Sequence, residues 1–255
     1  MTNPTIEINC DLGEGYGRWA FAPDEQFMPH ITTANIACGF HAGDPRIMRD
    51  TVAMAMEHGL QIGAHVSLPD IVGFGRRRLA LTPEEMRDNT IYQIGALKAF
   101  VEARGGVLAH VKPHGVMYAM IQDTVDYADA VTTAIAEVDA SLLFYALDDT
   151  HSELAASKGI TLVPEGFVDL HYDAAGGLMI ERAKLAWDPE DVAARAIRLV
   201  TRHEVVANDG TVLPLQRSTI CLHGDAPNST EVISTVRRRL DEAGIETRAL
   251  AEGRA

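Results

Sequence analysis

The sequence predicts an α/β protein built as a seven-stranded parallel (β/α) barrel. Two observations predict this fold class. Seven short apolar runs, rich in β-branched residues and bounded by Gly, Asp or Pro, have the near-continuous apolarity of strands that are buried on both faces. Helical stretches with their own start signals usually follow these runs, and crossovers of that kind join parallel strands. A doubly wound open sheet is the alternative, because periodicity does not reveal whether a sheet closes.

The seven apolar runs define the predicted strands, each four to seven residues long. They are Ile6–Asp11, Thr33–Cys38, Leu60–Val66, Val107–Lys112, Leu142–Leu147, Ile160–Val163 and Thr219–His223. The later stretch Ile245–Leu250 is a candidate for an eighth or edge strand.

Start and stop signals define the predicted helices. Asp44-Pro45 begins a helix that stops at Gly59. Thr82 and Glu85 form a capping box for a helix that ends at Gly105-Gly106. Four further helices are predicted. One begins at Asp123 or Thr124, and another spans Thr150 to Lys158. The last two run from Asp188-Pro189 through about Val206 and from Asn228, which caps together with Glu231, to Gly244.

Length, charge and cysteine usage limit the class of protein. The chain has 255 residues without a linker or low-complexity stretch, so we expect one domain over residues 1–255. Its net charge of −14 disfavours nucleic acid and anionic membranes as partners. Three cysteines without a Cys-x-x-Cys pair suit a reducing compartment. Because no uncharged run approaches ~18 residues and Met1–Glu7 has no apolar signal core, we expect a cytoplasmic protein.

Reactive side chains collect where the predicted strands end. Ligands of parallel α/β domains bind at the carboxyl ends of the strands, so these positions map the site. They carry Asn9, Asp11, Glu14, Asn35, His41, His65, His110, Lys112, His114, Glu165, Asp169 and His223. Buried charges without partners are too costly to be idle, so we expect a polar pocket at the barrel mouth. Asp44 is interpreted as a helix cap, a capping role stays open for Asp225 and Asn228, and Asp148 and Asp149 are left out of the site.

These residue types allow two kinds of chemistry. Asp11, Glu14, His41 and His65 carry carboxylate and imidazole donors that suit Zn, Mn or Mg. No His-x-x-x-His or His-Glu-x-x-His motif occurs, so metal ligands would come from separate strands. The same groups can act without a metal as general acids and bases. Lys112 can hold a carboxylate or a developing oxyanion, and a Schiff-base role is the lesser alternative.

Two connections, Ser67–Leu81 and Gly166–Trp187, are too long for plain turns and are predicted to be lids or substrate loops. The first contains a Gly-rich basic segment in which Arg76 is a candidate to hold an anionic substrate. No Walker loop, no Gly-x-Gly-x-x-Gly fingerprint and no Gly-x-Ser-x-Gly elbow occurs. We therefore expect neither nucleotide binding by a standard loop nor a serine nucleophile.

Five sequence blocks resemble the 5-oxoprolinase A-subunit family, also called the LamB/YcsF lactam-utilisation family. They are Asn9–Gly15, Ala34–Asp44, Gly63–His65, His110–Gly115 and Cys221–Asp225, within a match from Ile6 to about Ile245. The resemblance implies a seven-stranded (β/α) barrel of the glycoside hydrolase/deacetylase type. It also implies a protein that acts with two partner subunits to open the lactam ring of 5-oxo-L-proline, giving L-glutamate with ATP hydrolysis.

The resemblance supplies the site positions motif by motif, except for Arg76 and the metal, which come from the residue types. We assign catalysis to Asp11, Glu14, Lys112 and His114, substrate binding to Asn35, His41, His65, Arg76, Glu165 and His223, and a possible divalent metal to His41 and His65. ATP is expected in the assembled complex, where the partner subunits carry out the kinase-like step. The alternatives are a stand-alone metal-dependent deacetylase and a non-catalytic component of an assembly.

The chain departs from the family pattern at three positions. Val66, Ala119 and Leu170 stand where the family usually has Pro, Asn and Arg. An arginine at the third position would pair with a substrate carboxylate, so Arg76 or Arg182 is the candidate to replace it. We therefore expect a divergent member that acts on 5-oxoproline or a related amide.

Overall fold

The computed structural model describes residues 3–20, 22–179 and 184–251. Within these ranges the strands are β1 (Thr5–Leu12), β2 (Thr33–Ala37), β3 (Gln61–Val66), β4 (Leu108–Pro113), β5 (Leu143–Ala146), β6 (Leu162–Phe167), β7 (His171–Tyr172), β8 (Leu178–Met179), β9 (Glu204–Val206), β10 (Val212–Pro214), β11 (Thr219–Leu222) and β12 (Glu246–Thr247). The helices there are α1 (Asp24–Phe27), α2 (Pro45–Glu57), α3 (Pro83–Glu102), α4 (Val116–Asp123), α5 (Val125–Asp139), α6 (Ser152–Ser157), α7 (Pro189–Arg202) and α8 (Ser229–Glu242), with a 3₁₀ turn at Met28–His30.

Strands β1 to β6 and β11 form a closed parallel barrel. Neighbouring strands pair in the order β11-β6-β5-β4-β3-β2-β1, and β11 also pairs with β1. The closing register joins Glu7 to Thr219 and Cys10 to Leu222. The predicted seven-stranded barrel is confirmed, and the open sheet is excluded. Strand β12 adds to β1 as a parallel edge strand, as the stretch Ile245–Leu250 suggested.

Two helix starts follow their sequence signals directly. Asp44 caps α2 by accepting hydrogen bonds from the backbone N–H groups of Arg46 at 2.8 Å and Ile47 at 3.0 Å. Thr82 and Glu85 form the predicted capping box at α3, where each side chain accepts from the other residue's backbone N–H. Such a cap contributes about 1 kcal/mol to helix stability. The box also fixes where the long loop before α3 ends.

The barrel interior is polar, because successive side chains of a strand point to opposite faces. Glu7, Asn9 and Asp11 of β1 are buried and hydrogen-bonded to side chains of other barrel strands. The intervening residues of β1 belong to the apolar core between barrel and helices. Strand β4 contributes His110 and Lys112 to the same interior. Apolar packing against the helices therefore stabilises the outside of the barrel, and polar and charged side chains occupy its interior.

Some element boundaries differ from the sequence prediction. Strand β6 runs through Phe167 rather than stopping at Val163, because Pro164 sits in the strand and pairs with Ala146. Helix α7 ends at Arg202 rather than near Val206, because His203 adopts a left-handed conformation and the chain continues as β9.

Two local features were not predicted. Helix α4 begins directly after Gly115, whose φ of +56° is an unusual entry to a helix and gives no capping signal in the sequence. Asn228 stands at the start of α8, but its side chain does not cap that helix. It bonds instead to the backbone of Trp187, accepting from N–H at 3.2 Å and donating to the carbonyl at 2.8 Å. A tertiary contact has thus replaced the predicted cap.

In the described part of the chain, no helix has the length and apolarity needed to cross a membrane.

Candidate active site at the mouth of the barrel

A cavity of about 340 Å³ lies at the carboxyl ends of the barrel strands. Its polar wall comprises Asp11, Glu14, His65, Arg76, Lys112, His114, Tyr118, Lys184, His223 and Asp225. Its apolar wall includes Val116, Ala119, Leu147, Phe167, Leu170 and Leu178. A cavity of this size and lining fits a small molecule with an apolar body and a few polar groups.

Lys112 occupies the centre of the polar wall, and its side chain is 2% exposed. Its Nζ lies 2.7 Å from Asp11 Oδ1 and 3.3 Å from Glu165 Oε1. Burial alone would lower the pKa of Lys112, but Asp11 and the other nearby anionic groups raise it well above its usual value. The ammonium is therefore charged, which favours an electrostatic role for Lys112 over Schiff-base chemistry.

Asp11 is held as a carboxylate by three neighbours. Its Oδ1 accepts from Lys112 and, at 2.9 Å, from Asn35 Nδ2, and its Oδ2 lies 3.2 Å from His65 Nε2. Burial favours the neutral acid, but His65 and Lys112 outweigh it and hold the pKa of Asp11 well below its usual value. The side chain is thus ionised and fixed in orientation at the cavity wall.

A hydrogen-bonded network supports this pair from behind. Asn35 donates to Asn9 Oδ1 at 2.7 Å and accepts from His110 Nε2 at 2.7 Å. Asn9 donates to Glu165 Oε1 at 2.7 Å, and Tyr118 donates to Glu165 Oε2 at 2.8 Å. Because these side chains bond to one another, the network fixes the orientation of Asp11 and Lys112.

Three imidazoles and one carboxylate form a second cluster beside Asp11. Glu14 Oε1 lies 3.0 Å from His41 Nε2, 3.3 Å from His114 Nδ1 and 3.7 Å from His65 Nε2. His65 Nε2 and His114 Nδ1 are 3.0 Å apart. Burial lowers the pKa values of His41 and His114 well below the usual value and raises that of Glu14. Glu14, His41, His65 and His114 are called the imidazole cluster below.

The loop before α3 closes over the imidazole cluster. The ring of Phe74 stands edge-on to those of His41 and His114, with centroids 5.4 and 4.9 Å away. Gly75 has a φ of +63°, and a Cβ there would lie 2.8 Å from His114 Cδ2. Only glycine fits this backbone and this space. The predicted substrate loop therefore forms a fixed wall of the site at these positions.

The opposite rim carries charges that pair across the cavity mouth. Asp225 bonds to Arg76 Nη2 at 3.0 Å and forms an ion pair with Lys184. His223 Nδ1 lies 3.0 Å from Asp169 Oδ1. Burial would raise the pKa of Asp169, but His223 and Lys184 lower it to about 2. This rim offers cationic groups to an anionic ligand.

The structure brings the sequence-assigned residues together at one end of the barrel. Seven of them line the cavity: Asp11, Glu14, His65, Arg76, Lys112, His114 and His223. Asn35, His41 and Glu165 lie immediately behind that surface and bond to residues at or near it. Arg182, the other candidate for a substrate carboxylate, lies outside the described residues.

Sequence reasoning missed three polar residues of the cavity wall. Tyr118 lies on the unpredicted helix α4, and Lys184 lies in a connection that was recognised only as a long loop. Asp225 was considered as a helix cap, but its carboxylate is bonded to Arg76 and Lys184 instead. The one signal that pointed to Lys184 was the length of its loop.

Fold and site together define a class of protein: a (β/α) barrel with a charged small-molecule site at its mouth. The chain belongs to the LamB/YcsF family, whose profile matches residues 6–255. It is 43% identical over 251 residues to the 5-oxoprolinase A-subunit of Methylococcus capsulatus, covering 96% of each chain. The match confirms the family that the sequence blocks indicated.

Two solved structures are similar to this chain in fold. The lactam utilization protein from Thermus thermophilus has a TM-score of 0.90 and 39% identity, over 96% of this chain and 100% of that one. The catalytic domain of a peptidoglycan N-acetylglucosamine deacetylase from Eubacterium rectale has a TM-score of 0.51 and 11% identity, over 98% of this chain and 90% of that one. The second likeness concerns the fold alone, and it agrees with the expected deacetylase-type barrel.

Proposed function

We propose that this chain is a component of a hydrolase that opens a small lactam carrying a carboxylate, 5-oxo-L-proline or a close relative. For 5-oxo-L-proline the ring-opened product is L-glutamate. The observation that carries the proposal is the buried Lys112–Asp11 ion pair in the wall of a small cavity. The names of the relatives, one a 5-oxoprolinase component and the other a lactam utilization protein, support the same substrate class.

The cavity has the features that such a substrate needs. The apolar wall, which includes Leu147 and Phe167, suits the methylene groups of a five-membered ring. Arg76 and Lys184 at the rim suit the carboxylate, because hydrogen bonds between ions are about twice as strong as neutral ones. Asp225 holds Arg76 in place before the substrate arrives. A ring seated in this way directs its amide carbonyl toward Lys112.

The proposed reaction is addition of water to the lactam carbonyl followed by cleavage of the ring C–N bond. Asp11 and Glu14 both line the cavity, so either carboxylate is placed to accept a proton from the attacking water. Lys112 stabilises the negative charge that develops on the carbonyl oxygen. The carboxylate then returns its proton to the ring nitrogen, which leaves as an amine. His114 contacts Glu14 and keeps that carboxylate oriented.

We propose that ATP and two partner subunits take part in this reaction. Amide resonance makes direct hydrolysis slow, so coupling to ATP is mechanistically expected. The chain has no standard phosphate-binding motif, so the partners would supply the ATP-dependent step. The relatives are named as one subunit of 5-oxoprolinase, which supports an assembly. We place the complex in the cytoplasm, in keeping with the cysteine usage.

Reconstitution tests this proposal. The chain is purified alone and with its partner subunits, and each preparation is incubated with ATP and a panel of lactams. We expect the ring-opened acid only from the complete set, together with release of ADP and phosphate. If the complete set yields no ring-opened acid from any lactam, the proposal is wrong.

A further inference from the structure

We propose that the imidazole cluster binds one divalent transition-metal ion, of the Zn²⁺ type, in the wall of the cavity. The ligands that we assign are His41 Nε2, His65 Nε2, His114 Nδ1 and Glu14 Oε1, and donor atoms of these four residues all lie within 4.8 Å of one another. The proposed site rests on the geometry of these side chains. It does not depend on which substrate the cavity accepts.

Two of the imidazoles contact backbone carbonyl oxygens, which decides where they carry hydrogen. His65 Nδ1 lies 3.0 Å from the carbonyl oxygen of Lys112, and His114 Nε2 lies 2.8 Å from that of Phe74. A carbonyl oxygen only accepts, so both of these nitrogens carry hydrogen. When both imidazoles are neutral, each has one N–H, so His65 Nε2 and His114 Nδ1 then present lone pairs. These two nitrogens nevertheless face each other at 3.0 Å.

Two facing lone pairs require a positive charge between them. A proton could join one such pair, and His41 Nε2 could donate to Glu14 Oε1, but neither would use donor atoms of all four residues together. Glu14 Oε1 approaches His41 Nε2 at 3.0 Å and His114 Nδ1 at 3.3 Å, which adds a carboxylate and a third imidazole. A metal ion can satisfy all four donors at once, and nitrogen and carboxylate oxygen are common zinc ligands.

The distances fit a tetrahedral ion. Zinc bonds of about 2.0–2.1 Å place neighbouring ligands of a tetrahedron about 3.3–3.4 Å apart. The separations between His65 and His114, His41 and Glu14, His114 and Glu14, and His65 and Glu14 are 3.0, 3.0, 3.3 and 3.7 Å. Shifts of a few tenths of an ångström bring these four of the six pairs to the expected spacing, and all the donor atoms lie within 4.8 Å of one another.

The surroundings of two of the three imidazoles match those of metal-bound histidines. A ligating imidazole generally donates its other N–H to a carbonyl or carboxylate, which fixes its orientation. The carbonyls of Lys112 and Phe74 do this for His65 and His114. Asp11 Oδ2, 3.2 Å from His65 Nε2, adds negative charge beside the proposed ion. Gly75 is packed so closely over the cluster that a side chain there would meet both His41 and His114.

The proposal refines the sequence-level expectation, which considered Asp11, Glu14, His41 and His65 as donors and assigned the metal to His41 and His65. Glu14, His65 and His114 line the cavity, so the ion would lie at its surface. There it would supply a Lewis acid for a substrate carbonyl, next to the Lys112 ammonium. The ligand role occupies one oxygen of Glu14, and Asp11 then remains as the carboxylate that accepts a proton.

Metal binding to the purified full-length chain tests the proposal directly. The chain is stripped with a chelator, dialysed and titrated with ZnCl₂ by calorimetry, and bound metal is counted by elemental analysis. We expect one ion per chain, a higher Tm, and with Co²⁺ the visible absorption of a tetrahedral nitrogen–oxygen site. Glu14→Gln, which keeps the side-chain shape, and His114→Ala should each weaken binding at least about 100-fold.

His58→Ala is the matched control, because His58 is an exposed histidine at the end of α2. This variant should bind the ion like the unchanged chain. If His114→Ala does not fold, as judged by circular dichroism, Glu14→Gln decides the matter. The proposal is overturned if no stoichiometric ion binds, if Glu14→Gln binds as tightly as the unchanged chain, or if His58→Ala loses the ion.

Discussion

Lys112 Nζ and Asp11 Oδ1 lie 2.7 Å apart, with both side chains buried at the mouth of the barrel. Their strands, β4 and β1, are not neighbours in the sheet, so only closure of the barrel brings the two groups together. A charged ammonium that is buried and fixed in position is well suited to stabilise a developing oxyanion, because little reorganisation of the surrounding groups is needed during the reaction. The same burial makes the pair sensitive to the loss of either partner.

Removal of the lysine charge should strongly destabilise the fold. Lys112→Met keeps the side-chain length but leaves Asp11 and Glu165 without their cation, so we expect a loss of about 3–5 kcal/mol in the free energy of unfolding. Adding Asp11→Asn removes one of the stranded charges, so the double variant should be more stable than the sum of the two single changes predicts. Urea unfolding of the three variants measures this coupling. Additive losses would show that the two groups do not interact.

Loss of the rim arginine should weaken binding of a carboxylate. Arg76→Gln removes a charged donor at the cavity, so the Kd for 5-oxo-L-proline should rise about 10-fold or more, whereas the Kd for a lactam without a carboxylate should change little. Arg78→Gln is the control, because Arg78 lies in the same loop but pairs with Asp123 on the surface. Calorimetry gives both constants. Equal effects of the two substitutions would contradict a carboxylate-binding role for Arg76.

Gly63 of β3 should not tolerate a side chain. A Cβ at this position would collide with the ring of His110, which is fixed by Asn35. We expect Gly63→Ala to lower the free energy of unfolding by several kcal/mol, of the order of the larger core-overpacking costs. In contrast, Gly95→Ala on the exposed face of α3 meets nothing and should stabilise the chain by about 1 kcal/mol. Thermal or urea unfolding separates the two effects.

The stability of the protein should fall on acidification because of His110. Burial lowers the pKa of His110 from 6.5 to about 3, so the folded protein keeps this imidazole neutral. The unfolded chain binds the proton below about pH 6.5, so folding loses about 1.4 kcal/mol per pH unit between there and about pH 3. Above pH 6.5 the group has no effect.

His110→Gln keeps a donor for Asn35 but does not titrate. Its free energy of unfolding, measured in urea between pH 7 and pH 4, should fall less steeply with pH than that of the unchanged chain. The difference between the two slopes should correspond to about one proton bound on unfolding. If the two slopes are equal, His110 is not held neutral in the fold.

The sequence predicted the barrel and most of the site because both depend on local patterns. Apolar runs gave the strands, and the rule that ligands bind at strand ends placed Asp11, His65 and Lys112 near one another. The capping box of Thr82 was predicted for the same reason, since its partner Glu85 lies three residues away.

The features that were missed depend on contacts between distant parts of the chain. Asn228 and Glu231 match a capping pattern, yet Asn228 bonds to Trp187, which no local rule anticipates. Lys184 reaches Asp225 from an irregular loop. His65 Nε2 and His114 Nδ1 face each other at 3.0 Å, and the other nitrogen of each ring contacts a backbone carbonyl, which only the folded structure shows.

Melting of the purified chain in the presence of lactams tests the central claim, that the cavity at the barrel mouth binds a small lactam. A ligand at a hundred times its Kd adds about 2.7 kcal/mol to the free energy of unfolding, which raises the Tm of a domain of this size by roughly 5–10 °C. We predict such a rise with 5-oxo-L-proline or a related lactam, and its loss in Ala119→Trp, whose side chain fills the cavity. No rise with any lactam, or an equal rise in the folded Ala119→Trp variant, would contradict the account.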